Sequence, residues 1–182
     1  MPRVTPISGK ADVAAEHHGV VDHVLKVFNN IRGPFSMLLH SPQLADKILG
    51  VGDFYRDDSV VEGKLRSLAI LVGVRERKAA YVWAAQVGAA RRAGVREEAI
   101  DVIRGHGDLG KLTQEEREIM VYAEQLIRDN RVDQAAFDTL KNRYGVQWLV
   151  ELTAAANYYG ILCGVVNAFE VPAPADGDKL PG

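Results

Sequence analysis

Cysteine is almost missing from this chain of 182 residues: Cys163 stands alone. A single thiol excludes an intrachain disulfide, a CxxC redox pair and any multi-cysteine zinc site. Net charge is close to absent too, at −2. The basic residues are scattered, the densest cluster being Arg75 to Lys78, so nothing in the charge predicts nucleic acid or an anionic membrane as partner. Uninterrupted apolar runs of membrane-spanning length are lacking. The first thirteen residues hold no apolar stretch of signal-peptide type, so the cytoplasm is the default location. No glycine-rich phosphate loop or GxSxG elbow appears, and no cofactor or metal is expected.

What is present reads as helix. Val20, Val21, Val24, Leu25 and Phe28 share one helical face between Ala14 and Asn30, and Gly33-Pro34 breaks the pattern. Ser41-Pro42 opens a second helix, since serine caps and proline suits the first turn. Further helices are expected over 61–74, 77–93 (closed by Gly94), 95–104 and, after the capping box Thr113 to Glu116, to about Asp129. Asp133 caps another, and 146–169 forms the last. His106 falls in a glycine-rich loop and is expected to face solvent. Without a convincing strand, the pattern predicts an all-α antiparallel bundle. The expected layout is an N-terminal arm over 1–13, one helical domain over 14–171 and an irregular tail over 172–182. The alanine-rich helix from Arg77 suggests close packing and a homo-oligomer.

Several short pieces, in order, carry a resemblance. They are Gly33-Pro34-Phe35, Leu38 to Pro42, the run Lys64 to Val74, Tyr81-Val82-Trp83, Ala93-Gly94-Val95, Leu149 to Leu152, Asn157-Tyr158-Tyr159 and Asn167 to Pro172. Together, over about 30–173, they resemble the carboxymuconolactone decarboxylase / alkylhydroperoxidase D family. That resemblance implies an all-α bundle of the alkylhydroperoxidase D-like type. In redox members a Glu, a CxxC pair and a His relay protons and reduce peroxide. Here those positions fall on Ser67, Ala79, Val82 and Gln86. Alanine and valine are not nucleophiles, and glutamine does not titrate near neutrality. A thiol peroxidase is excluded at that site, and the usual acid–base decarboxylase chemistry is weakened.

Gln86 sits among apolar helical neighbours, as a satisfied core amide or as a group that orients a ligand. His40, at a helix entry, is either a hydrogen-bonded structural residue or the proton carrier left to the site. Ser67, Tyr81, Trp83, Asn157, Tyr158 and Tyr159 are either packing residues or the lining of a retained pocket. Arg66 either binds a carboxylate or pairs with Glu62 one turn earlier. Glu151, inside an apolar stretch, is a candidate buried acid with a raised pKa. His18 and His23 are spaced wrongly for a metal pair on one face. The expected function is a cofactor-independent lyase or isomerase acting on a small cyclic carboxylate or lactone. The alternative is a non-catalytic ligand-binding or scaffold protein with a degenerate site.

Overall fold

The computed structural model describes residues 1–181. Among them are nine α-helices and no strand, as the periodicity predicts: α1 (His18–Phe28), α2 (Pro34–Leu38), α3 (Pro42–Asp57), α4 (Gly63–Glu76), α5 (Ala80–Arg92), α6 (Glu97–Gly105), α7 (Gln114–Asp129), α8 (Gln134–Tyr144) and α9 (Val146–Ala168).

Local chemistry sets most of the boundaries. Thr113 accepts from the Glu116 amide while Glu116 reaches back to the Thr113 amide, so the capping box opens α7. Asp133 accepts from the Ala136 amide and opens α8. Gly94 takes the left-handed conformation just beyond α5. The short helix α2 is an addition to the sequence reading, which saw only a break there. Gly33, at φ 59, turns the chain, and Pro34 starts a single helical turn instead of ending the order.

The core is organised on α4 and α9. From Leu68 to Val74 every residue of α4 is buried, so this helix is apolar around its whole circumference. It packs against α5, α6, α7 and α9. A side chain at Gly73 would come within 3.0 Å of the Ala156 carbonyl, and that glycine is what lets the α4 and α9 backbones approach. Helix α9 is long and apolar enough to cross a bilayer, yet one side of it is buried among α2, α4, α5, α7 and α8. Its polar interruptions, Glu151 and Asn157, are spent on protein contacts.

Both ends are tied down. Ile7 is buried and donates its amide to the Ser36 carbonyl. Asp178, in the tail, receives hydrogen bonds from Arg91 and Arg104. His106 closes α6 in a left-handed turn, and its imidazole contacts Arg128.

One buried carboxylate predicts a pH response. The Glu116 side chain is fully buried and accepts two hydrogen bonds from Arg96. That pairing, against the opposing effect of burial, holds its pKa down to about 2, from an ordinary value of 4.5. A depressed folded-state pKa contributes stability that is complete above the unfolded value and is lost as pH falls toward the folded one. Urea unfolding should show stability declining from about pH 4.5 to pH 2. Glu116→Gln should be less stable at pH 7 and should show a flatter decline over that window.

Candidate functional site

A cavity of about 320 Å³ lies where α3, α4, α5 and α9 meet the segment joining α1 to α2. Its lining is aromatic and cationic. Phe28, Phe35, Tyr55, Tyr81, Tyr158 and Tyr159 supply rings; Arg32, Arg56 and Arg66 supply guanidinium groups. No aspartate or glutamate lines it. Ile70, Val82 and Leu162 give it an apolar wall, and Gln86 and Asn30 are its two amides.

The three arginines differ in their partners. Arg56 pairs with Asp53, which also contacts His23 at 3.0 Å. Arg66, near the start of α4, donates one hydrogen bond, to the Val61 carbonyl at 2.8 Å, and lies over the Tyr55 ring. Among the described residues neither Arg66 nor Arg32 makes an ion pair. The pairing of Arg66 with Glu62 does not form, because the Glu62 carboxylate accepts from the Trp148 indole instead. Burial lowers the Arg66 pKa somewhat, with Tyr159, Tyr55 and Glu151 opposing, and the group stays cationic.

The tyrosine hydroxyls divide in the same way. Tyr158 donates to the Ile48 carbonyl at 2.9 Å and Tyr55 to the Glu151 carbonyl at 3.2 Å, so both are committed to the scaffold. Among the described residues the Tyr159 hydroxyl makes no hydrogen bond to the backbone, and it stands beside the Gln86 amide, within the influence of Arg56 and Arg66. Burial raises its pKa above the ordinary 10, while the two guanidinium groups and Gln86 pull the other way. Burial outweighs them, so at neutral pH Tyr159 is a protonated phenol.

Among the residues singled out from sequence, the structure brings Arg66, Tyr81, Gln86 and Tyr158 to this cavity. It leaves the others elsewhere. His40 is exposed, and its Nε2 meets the Thr5 carbonyl at 3.0 Å, so it fastens the N-terminal arm and does not reach the cavity. Trp83 is fully buried under the Arg104 guanidinium. Asn157 faces outward, donating to the Thr153 carbonyl and accepting from Arg77. Ser67 is half-buried on α4, outside the lining.

Glu151 is buried, as its apolar setting suggests, but it is not a raised acid. Burial pushes its carboxyl up; hydrogen bonds from Gln147, Ser59 and the Val60 amide, with Arg66 nearby, outweigh that and hold it below the ordinary value. Tyr159, grouped from sequence with Asn157 and Tyr158, also lines the cavity, whereas Arg32 and Arg56 carried no signal in the sequence.

The remaining thiol is no nucleophile. Cys163 is fully buried, outside the cavity lining, and burial pushes it up to about 12. One group of metal-ligand types occurs among the described residues: Glu76, His106 and Glu124, with donor atoms within 4.8 Å of one another. Arg128 donates to both Glu76 oxygens and approaches His106 Nδ1 at 3.0 Å, so its guanidinium already supplies the positive charge there.

No family model matches the sequence, and no curated protein is similar to it. Solved structures do match the fold. An uncharacterised peroxidase-related protein with the alkylhydroperoxidase AhpD core, from Ralstonia eutropha JMP134, has a TM-score of 0.75 at 14% identity, covering 95% of each chain. A cysteine-to-alanine variant of the debrominase Bmp8, in complex with 2,3,4-tribromopyrrole, has a TM-score of 0.74 at 17% identity, covering 96% of this chain and 95% of that one. A protein of unknown function from Agrobacterium tumefaciens, provisionally named an AhpD antioxidant-defence protein, has a TM-score of 0.66 at 14% identity, covering 76% of this chain and 96% of that one. The chain has the alkylhydroperoxidase D-like fold, as the resemblance in its sequence implies.

Gly33 offers a test of how the site is built. A Cβ there would fall 2.2 Å from the Tyr81 ring, and φ is already +59. Gly33→Ala should cost about 1–3 kcal/mol in chemical denaturation. It should also move Tyr81, read as a shift of its ring resonances in NMR spectra.

Proposed function

We propose that this chain is a cofactor-independent lyase or isomerase that acts on a small cyclic carboxylate or lactone bound in the aromatic, cationic cavity. The observation that carries the reading is Arg66: a half-buried guanidinium with one backbone hydrogen bond, no counter-ion among the described residues, and a scaffold-free phenol near it. Its free N–H groups match the fork of a carboxylate or a polarised lactone carbonyl.

In this reading Arg66 holds the anionic or carbonyl oxygen and Gln86 fixes the orientation of a second polar group. Tyr159 moves the proton. For decarboxylation, the electron pair of the breaking C–C bond passes to the ring carbon, carbon dioxide departs, and the Tyr159 Oη proton is delivered to that carbon. Solvent then restores the phenol. For isomerisation the same hydroxyl gives a proton at one carbon and recovers one from another. A phenol is protonated at neutral pH, so it starts as the acid.

A second reading is a ligand-binding protein without turnover. It is favoured by Ser67, Ala79, Val82 and Gln86, the positions to which the family resemblance assigns the Glu, the cysteine pair and the His of redox members.

Absorbance assays over a panel of lactones and cyclic carboxylates separate the two. Turnover that falls at least about 100-fold in Tyr159→Phe supports the enzyme. Thermal stabilisation by panel members without turnover supports the binder. In either case Arg66→Met should weaken binding by about 10- to 100-fold, measured by calorimetry, because a charged hydrogen bond is lost. Unchanged affinity in that variant would remove the basis of both readings.

A further inference from the structure

We infer that the ring this cavity accepts is planar and aromatic, so that an arene carboxylate is the ligand class, in preference to a saturated cyclic acid. The inference rests on the anion-site reading above and adds the character of the ring. Its ground is the disposition of the aromatic walls.

Tyr158 and Tyr159 both line the cavity and pack edge-to-face on each other, at 86° with centroids 5.3 Å apart, so their rings lie in two nearly perpendicular planes. Tyr55 lies 6.0 Å from Tyr158, and Phe28 lies 5.2 Å from Phe35. Two guanidinium groups stand against these walls, the Arg66 Cζ 5.9 Å from the Tyr55 ring centroid and the Arg56 Cζ 5.9 Å from that of Phe28. A flat ring meets such walls by offset stacking and edge-to-face contact, each favourable because ring faces are negative and ring edges positive. Guanidinium planes stack on a flat π-face as well. A puckered saturated ring makes only C–H contacts on such walls, without a π-face or an aromatic quadrupole.

Other ligand classes fit the lining worse. Ammonium ligands would meet three guanidinium groups and no lining carboxylate. Sugars, rich in hydroxyl donors, would find Gln86 and Asn30 as amide acceptors and again no carboxylate. The volume, about 320 Å³, is at the small end for ligand sites and suits one or two fused rings.

The experiment compares benzoate with cyclohexanecarboxylate by isothermal titration calorimetry on the whole protein. The two share one carboxylate and one six-membered carbon skeleton. Cyclohexanecarboxylate carries more apolar hydrogen surface, so burial alone favours the saturated ligand. Benzoate binding at least about fivefold tighter, an advantage of the size aromatic pairing supplies, is the expected result. That binding should weaken by about 10- to 100-fold in Arg66→Met. Equal affinities, or tighter binding of cyclohexanecarboxylate, would overturn the aromatic inference and leave the anion site standing. Preference for benzoate that persists unchanged in Arg66→Met would place the binding elsewhere and overturn it as well. If neither acid binds, the anion-site reading fails, and this inference falls with it.

Discussion

A guanidinium without a counter-ion, held half-buried among tyrosine rings, is the constraint on which the site depends. Removing an arginine from water costs several kcal/mol unless an opposing charge or hydrogen bonds compensate. Among the described residues Arg66 has only the Val61 carbonyl, the Tyr55 ring, the nearby Tyr159 and the more distant field of Glu151. Glu151 does not neutralise it directly, because that carboxylate is already committed to Ser59, Val60 and Gln147. The folded chain thus carries an unspent positive charge inside an aromatic cavity. In the reading proposed above, an anionic ligand relieves it.

The bundle explains how such a group is held in place. Helix α4 is buried on all sides between Leu68 and Val74, so its middle is fixed by packing against α5, α7 and α9. Arg66 and Ile70 lie toward the N-terminal half of that same helix, where the packing opens into the cavity. Gly73 sets the separation of α4 from α9, which brings Tyr158 and Tyr159 to the cavity from the opposite side. Tyr158 then spends its hydroxyl on the Ile48 carbonyl and locks α9 to α3. The neighbouring phenol is left beside Gln86. Scaffold and chemistry are divided between two adjacent tyrosines.

Much of the fold was legible because it is written in local signals. The Thr113 box, the Asp133 cap and Gly94 each act through their own backbone neighbours, and a reader of sequence sees those neighbours. Helix α2 was not legible, since a five-residue turn after Gly33-Pro34 has too few residues to show a period. The cavity was half legible. Arg66 and Gln86 stand out as polar side chains on apolar helices. Choosing Tyr159 over Tyr158 needs the rotational phase of α9 against α3, which depends on contacts more than a hundred residues apart in sequence, such as Tyr158 to Ile48. His40 misled for the same reason: its partner, Thr5, lies in an arm that sequence showed no reason to place beside α2. Arg32 and Arg56 carry no local mark that separates them from surface arginines.

A crystal structure with a bound ring carboxylate tests the role of Arg66 most directly. The expected result places both carboxylate oxygens within hydrogen-bond reach of Arg66, at about 2.7–2.9 Å, with the ring among the tyrosines and Tyr159 Oη turned toward it. A carboxylate seated away from Arg66, or a ligand density confined to another part of the surface, would contradict it.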